Sequence, residues 1–203
     1  MNEKDPLNVI VTGVGGQGNV LISQLMGKAL VRAGYRVTIG ETYGASQRGG
    51  AVMSHLRVSR QAQYGPLIPY GQADVILGLE PVETLRVLAQ YGNPSVTVVT
   101  NSRPVYPLAV AIGAARYPTV EQITTALEEL SNRAWLINAT DIAVELGAPI
   151  LANIVMVGAL VGADVLPLAA QELELEFQES LSADRLEANL KAFRRGLAEA
   201  KTR

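Results

Sequence analysis

LNVIVTGVGGQGNV, residues 7–20, passes from a β-branched apolar run straight into a cluster of glycines and out again toward helical spacing. Leu7, Val9, Ile10 and Val11 suit a strand buried on both faces within a parallel sheet, since such strands read as continuous apolar runs. From Val20 onward, Leu21, Leu25, Met26, Ala29, Leu30 and Ala33 recur at three- and four-residue steps, the period of a helix with one buried side, and Gly34 supplies its stop. Residues 35–40 (YRVTIG) return to β-type composition. Strand, glycine turn, helix and strand in that order make a βαβ unit, whose crossover is right-handed in nearly all proteins.

The alternation of elements continues downstream. Residues 51–59 (AVMSHLRVS) place Val52, Ser54, Leu56 and Val58 on one face and Met53, His55 and Arg57 on the other, which predicts a half-exposed, antiparallel strand. A buried strand is predicted at 73–79, further strands at 96–100 and 134–138, and helices at 81–90, 120–130 and 140–146. Residues 103–118 hold three prolines and little periodicity, and read mainly as loop. Residues 149–163 are apolar nearly all round, as in a helix packed deep against a sheet. Residues 172–177 alternate like a strand but lack β-branched side chains and align Leu173, Phe177 and Leu181 on one helical face, so a helix is favoured. A terminal helix after Ser182 carries the stripe Leu186, Leu190, Phe193 and Leu197. The expected class is α/β: a three-layer α/β/α arrangement around a mostly parallel, Rossmann-like sheet with at least one antiparallel strand and a helical C-terminal third. A single domain is expected over residues 1–203, with 167–203 as a helical C-terminal extension.

Composition narrows the chemistry. Seventeen Lys and Arg against 19 Asp and Glu leave a net charge of −2, so no basic field exists to attract nucleic acid. The absence of Cys removes disulfides, a thiol nucleophile and any Cys-held zinc or iron-sulfur cluster on this chain. His55 is the one histidine, too few for a histidine metal cluster. The charged start, Met1 to Pro6, does not read as a leader peptide, and the apolar stretch 150–163 falls short of the roughly 18 residues of a membrane span, so a cytoplasmic location is expected.

Two segments carry candidate binding residues. Gly13, Gly15, Gly16, Gln17 and Gly18 lie between strand and helix, where glycines permit a tight turn and the helix dipole offers about half a positive charge to an anion. Asn19 and Val20 stand where a nucleotide-triphosphate loop would need Lys and Ser or Thr. Glu41 follows roughly 20 residues beyond Gly18, the separation at which dinucleotide-binding folds place an acid on a ribose. Gln47, Arg48, Gly49 and Gly50 come after the second strand, combining a fixed cation with backbone donors in the manner of an anion nest. Packing glycines and a solvated turn arginine remain the alternative. His55 reads as a hydrogen-bonding residue of the interior, Glu80 as a strand-end acid before a helix, Glu83 and Arg86 as an exposed helix-face pair, and Asn153 as a hydrogen-bonding residue for a ligand or, in preference, a neighbouring loop.

GVGGQG (13–18), ETYGASQRGGAVMSHLRVS (41–59), LEPVETLR (79–86) and NIVMVGAL (153–160), in this order over nearly the whole chain, resemble the gamma-type subunits of 2-oxoacid:ferredoxin oxidoreductases. Within that family they are most similar to the small subunits of indolepyruvate ferredoxin oxidoreductases. The resemblance implies a subunit that is not active alone and contributes no catalytic residue or metal ligand. It supports oxidative decarboxylation of indolepyruvate or another arylpyruvate to the acyl-CoA thioester, with ferredoxin as electron acceptor. Thiamine diphosphate, magnesium and the iron-sulfur clusters are expected on a larger partner subunit, ferredoxin is reached through the complex, and coenzyme A is a possible ligand at the shared site. A homo-oligomer of the isolated chain is possible. A self-contained NAD-binding oxidoreductase and a non-catalytic scaffold subunit stay open as alternatives.

Overall fold

The computed structural model describes residues 4–43 and 50–201. Six strands form one sheet: β1 (Leu7–Val14), β2 (Arg36–Tyr43), β3 (Ala51–Ser59), β4 (Val75–Gly78), β5 (Thr97–Asn101) and β6 (Arg133–Ile137). Their order across the sheet is β2-β3-β1-β4-β5-β6. β1, β4, β5 and β6 run parallel, while β3 is antiparallel to both of its neighbours, β1 and β2. The helices are α1 (Asn19–Arg32), α2 (Pro81–Tyr91), α3 (Leu108–Ala111), α4 (Val120–Leu130), α5 (Ala139–Glu145), α6 (Ala152–Gly162), α7 (Ala170–Ser180) and α8 (Ala183–Lys201).

The expected α/β architecture is found, with two corrections near its centre. The βαβ unit read from residues 7–40 is a split one, because β3 inserts between β1 and β2. In addition, β3 is covered on both faces at its middle, where Ser54, His55 and Leu56 are all buried, and is not half exposed. The cover over the His55 face comes from the segment after the strand: Ile68 N–H donates to His55 Nδ1 at 3.3 Å, and Arg57 reaches the Gly65 and Leu67 carbonyls. Strand periodicity reports which residues share a face, but not whether the following loop folds back to cover it.

Helices sit on both faces. On one, Val9, Val11, Leu56, Val58, Leu77 and Val99 pack against the apolar sides of α1, α5, α6, α7 and α8. On the other, Ile10, Ile76 and Val98 meet α2 and α4 through Val87, Leu88, Tyr91, Ile123 and Leu127. The helix foreseen at 149–163 opens as a 3-10 turn (Pro149–Leu151) before α6, whose residues 153–160 are all buried. Gly158 and Gly196 bring α6 and α8 into backbone contact; a Cβ on Gly158 would stand 2.9 Å from Leu197 N and closer still to Phe193 O. Phe177 of α7 and Phe193 of α8 are fully buried edge to face, with ring centroids 5.4 Å apart, so the C-terminal helices help to build this core.

Candidate functional site

β1 leaves its carboxyl end through α1 toward β2, whereas β4 leaves through α2 toward β5 on the other side. The carboxyl ends of β1 and β4 therefore flank a topological switch point, where open α/β sheets bind ligands. A cleft of about 410 Å³ lies there, bounded by Gly16 and Gln17 after β1, Leu79 after β4, Asn101 and Arg103 at the end of β5, and Asn153 and Met156 of α6.

The glycine turn is shaped from within. Gly13 belongs to β1, and its missing side chain admits the Gln17 amide, whose oxygen would lie 2.5 Å from a Cβ at that position. Gln17 Oε1 accepts from Val14 N–H at 2.7 Å, and Gln17 Nε2 donates to the Leu79 carbonyl at 3.1 Å. The main chain at Gly16 (φ 102°) and Gly18 (φ 86°) is left-handed, a conformation that side chains disfavour. Two of the loop's own donors are already spent, since Gly15 N–H donates to Gly50 O at 2.9 Å and Gln17 N–H to Val14 O at 3.1 Å. α1 starts after Gly18, which provides no side-chain cap for the first-turn N–H groups. Asn19 is only 4% exposed, and among the described residues neither of its side-chain amide atoms has a hydrogen-bond partner, nor does the buried Ser23 hydroxyl one turn on. Sequence reasoning noted Asn19 only for the lysine it replaces. The Asn19 amide oxygen faces β1, 3.2 Å from where a Cβ on Gly13 would stand.

The carboxyl edge is stitched together by side-chain amides. Leu79 O accepts from Gln17 Nε2 and, at 3.3 Å, from Asn101 Nδ2. Asn101 also donates to Thr140 Oγ1 at 2.9 Å and accepts from Ala139 N–H at 3.1 Å, tying the end of β5 to α5. Asn153, from the otherwise apolar α6, donates to the Gln17 carbonyl at 3.1 Å, as the sequence reading anticipated for a neighbouring loop. Asn101 and Arg103 sit in a segment read as strand end and loop, and only their place beside Gly16 and Gln17 gives them a part in the cleft.

The remaining sequence candidates fall as follows. Gly50 meets Gly15, and the ladder pairs Val14 with Ala51, so the second glycine segment returns to the sheet beside the first. Gln47, Arg48 and Gly49 lie outside the described residues. Glu41 sits on β2 opposite Ser54, whose hydroxyl donates to its carboxylate at 2.6 Å, and β3 separates it from β1 by two strand spacings, about 10 Å. His55 is 1% exposed; burial holds its imidazole below the ordinary value, and Tyr91 packs edge-on to the ring. Glu83 pairs with Arg86 at 2.8 Å, but its carboxylate is buried and not exposed as read, and burial raises its pKa. Among the described residues no group of three or more His, Asp or Glu is placed to hold a metal ion, and no helix is long and apolar enough to cross a membrane.

Comparison with known proteins agrees with this fold. The family model for pyruvate ferredoxin/flavodoxin oxidoreductases matches residues 8–199. The chain belongs to that family. It is 40% identical over 195 residues to the indolepyruvate oxidoreductase subunit IorB of Pyrococcus horikoshii, covering 96% of each chain, and 38% identical over 194 residues to the same subunit of Archaeoglobus fulgidus, covering 96% of this chain and 95% of that one. Among solved structures, the gamma subunit of a keto/oxoacid ferredoxin oxidoreductase from Geobacter sulfurreducens shares the fold at a TM-score of 0.69 and 22% identity, covering 97% of this chain and 99% of that one. The 2-oxoglutarate:ferredoxin oxidoreductase from Magnetococcus marinus, solved with 2-oxoglutarate, coenzyme A and succinyl-CoA bound, shares it at a TM-score of 0.77 and 24% identity. This chain is 99% covered in that match but spans only 32% of the longer polypeptide, so the fold also occurs as part of a larger chain.

Proposed function

We propose that this protein is the small, non-autonomous subunit of a 2-oxoacid:ferredoxin oxidoreductase acting on indolepyruvate or another arylpyruvate. The oxoacid loses carbon dioxide, its acyl group passes to coenzyme A, and the two electrons released pass to ferredoxin. Thiamine diphosphate, held with magnesium on a larger partner subunit that also carries the iron-sulfur clusters, supplies the stabilisation of the decarboxylated carbon. This chain has no cysteine for a cluster, so electron transfer runs through the partner.

The observation that carries the reading is the Gly15 to Gly50 hydrogen bond at the carboxyl edge, in a chain similar over 96% of its length to indolepyruvate oxidoreductase subunits. It brings the glycine turn and the end of the Gln47-Arg48-Gly49-Gly50 segment to one side of the molecule. The α1 dipole and Arg103 at the cleft suit coenzyme A, which presents phosphates, amides and hydroxyls together. The role of this chain is to hold and orient that group while the partner performs the chemistry.

Co-expression with a thiamine-dependent partner chain tests the proposal. A stable complex that reduces ferredoxin only when both indolepyruvate and coenzyme A are supplied is the expected result, with Arg48→Ala raising KM for coenzyme A about tenfold, the loss of one charge-assisted contact. Turnover that ignores coenzyme A, or an Arg48→Ala complex with unchanged kinetics, would overturn it.

A further inference from the structure

We propose that Glu80 is a positioning residue for the carboxyl-edge cleft: its buried carboxylate fastens the 102–118 segment to the first turn of α2, and so sets where Arg103, Pro104 and Val105 stand opposite Gly16 and Gln17. This rests on the reading that the cleft is the chain's share of the binding site. Glu80 is 2% exposed and directly follows the Gly78-Leu79 end of β4. One carboxylate oxygen caps α2, accepting from Glu83 N–H at 2.8 Å. The other accepts from Val105 N–H at 3.4 Å and from the Tyr117 hydroxyl. Its carbonyl receives the Thr84 hydroxyl at 2.8 Å.

The two anchor points bracket the segment. Val105 lies at its start, among the residues lining the cleft, and Tyr117 near its end; between them stands only the one-turn α3. Tyr106 packs edge to face on Tyr117 with ring centroids 5.1 Å apart, extending the anchorage to the residue after Val105. Burial, and then the hydrogen bond to Glu80, push the Tyr117 phenol far above its ordinary range, so it stays a donor. Val105, Tyr106 and Ile112 are 41%, 60% and 69% exposed, so these three side chains bury little apolar surface to hold the segment. A carboxylate accepting from both sides is the acceptor this geometry needs: an amide in its place would turn N–H groups toward N–H groups.

The test uses the assembled complex with Glu80→Gln and, separately, Tyr117→Phe, which deletes one hydroxyl and leaves the α2 cap intact. Hydrogen exchange over residues 102–118 should rise about tenfold or more in both, and KM for coenzyme A about three- to tenfold, with kcat within about twofold. Unchanged exchange in Tyr117→Phe would overturn the anchorage, and faster exchange with unchanged KM would overturn its bearing on the cleft. If Glu80→Gln does not fold, Tyr117→Phe decides. A wild-type complex without oxoacid turnover would count against the proposed function instead, and exchange over 102–118 would then decide the role of Glu80 by itself.

Discussion

Asn153 and Gln17, 136 residues apart in the chain, are joined by a hydrogen bond of 3.1 Å from the Asn153 amide to the Gln17 carbonyl. Through it the α6 helix, buried almost all round, fixes the glycine turn after β1. The same α6 packs backbone to backbone against α8 at Gly158 and Gly196, so α8 backs the helix that holds the turn.

Asn153→Ala should lower stability by about 1–2 kcal/mol, the usual cost of losing one partly buried hydrogen bond. Asn153→Asp, equal in size, sets an anionic acceptor against the Gln17 carbonyl and should cost more than Ala. Urea unfolding with an unchanged m-value reads both, and an Asp variant as stable as wild type would show that the contact is not made.

Gly158→Ala and Gly196→Ala should each cost about 2–4 kcal/mol, or prevent soluble expression, because the added methyl meets backbone and not the movable end of a side chain. Gly16→Ala, with open space around it, should cost far less, chiefly through its left-handed φ. Thermal unfolding of the three variants ranks them, and a mild effect at Gly158 would mean that α6 and α8 are further apart than described.

Burial keeps the His55 imidazole below its ordinary value near 6.5, so the folded chain leaves it neutral where the unfolded chain protonates it. The unfolded state then binds more protons, and stability should fall as pH drops from about 6.5 toward 5. His55→Gln should flatten that slope while lowering stability at pH 8. Urea midpoints at pH 5, 6, 7 and 8 check it; an equally steep decline in the variant would assign the effect to other groups.

NADH should show no micromolar binding to the free chain by calorimetry. β3 separates Glu41 from β1, and the Glu41 carboxylate already accepts from Ser54, so it is not placed against the glycine turn as a ribose-binding acid would be. Binding that disappears in Glu41→Ala would reverse this conclusion and revive the NAD-dependent reading.

Periodicity located most elements because it records local burial: β1 from its β-branched run, α1 from its three- and four-residue steps, α7 from the shared face of Leu173 and Phe177 against an alternation that resembled a strand. The cleft was legible in part. Gly16, Gln17 and Asn153 stand out in the sequence as a glycine turn and a polar residue in an apolar helix, whereas Asn101, Arg103 and the double anchorage of Glu80 lie in stretches whose composition is that of ordinary strand ends and loops.

By itself the sequence determined the α/β class, the glycine turn between strand and helix, and the lack of any thiol or histidine cluster, since each depends on residue identity and near-neighbour spacing. The tertiary structure alone decided that β3 lies between β1 and β2, that Tyr91 of α2 and the loop after β3 bury His55, and that a carboxylate after β4 accepts from Val105 in the wall of the cleft. Those outcomes depend on which segments, tens of residues apart, compete for the same sheet edge and the same buried donors, and a local pattern carries no record of that competition.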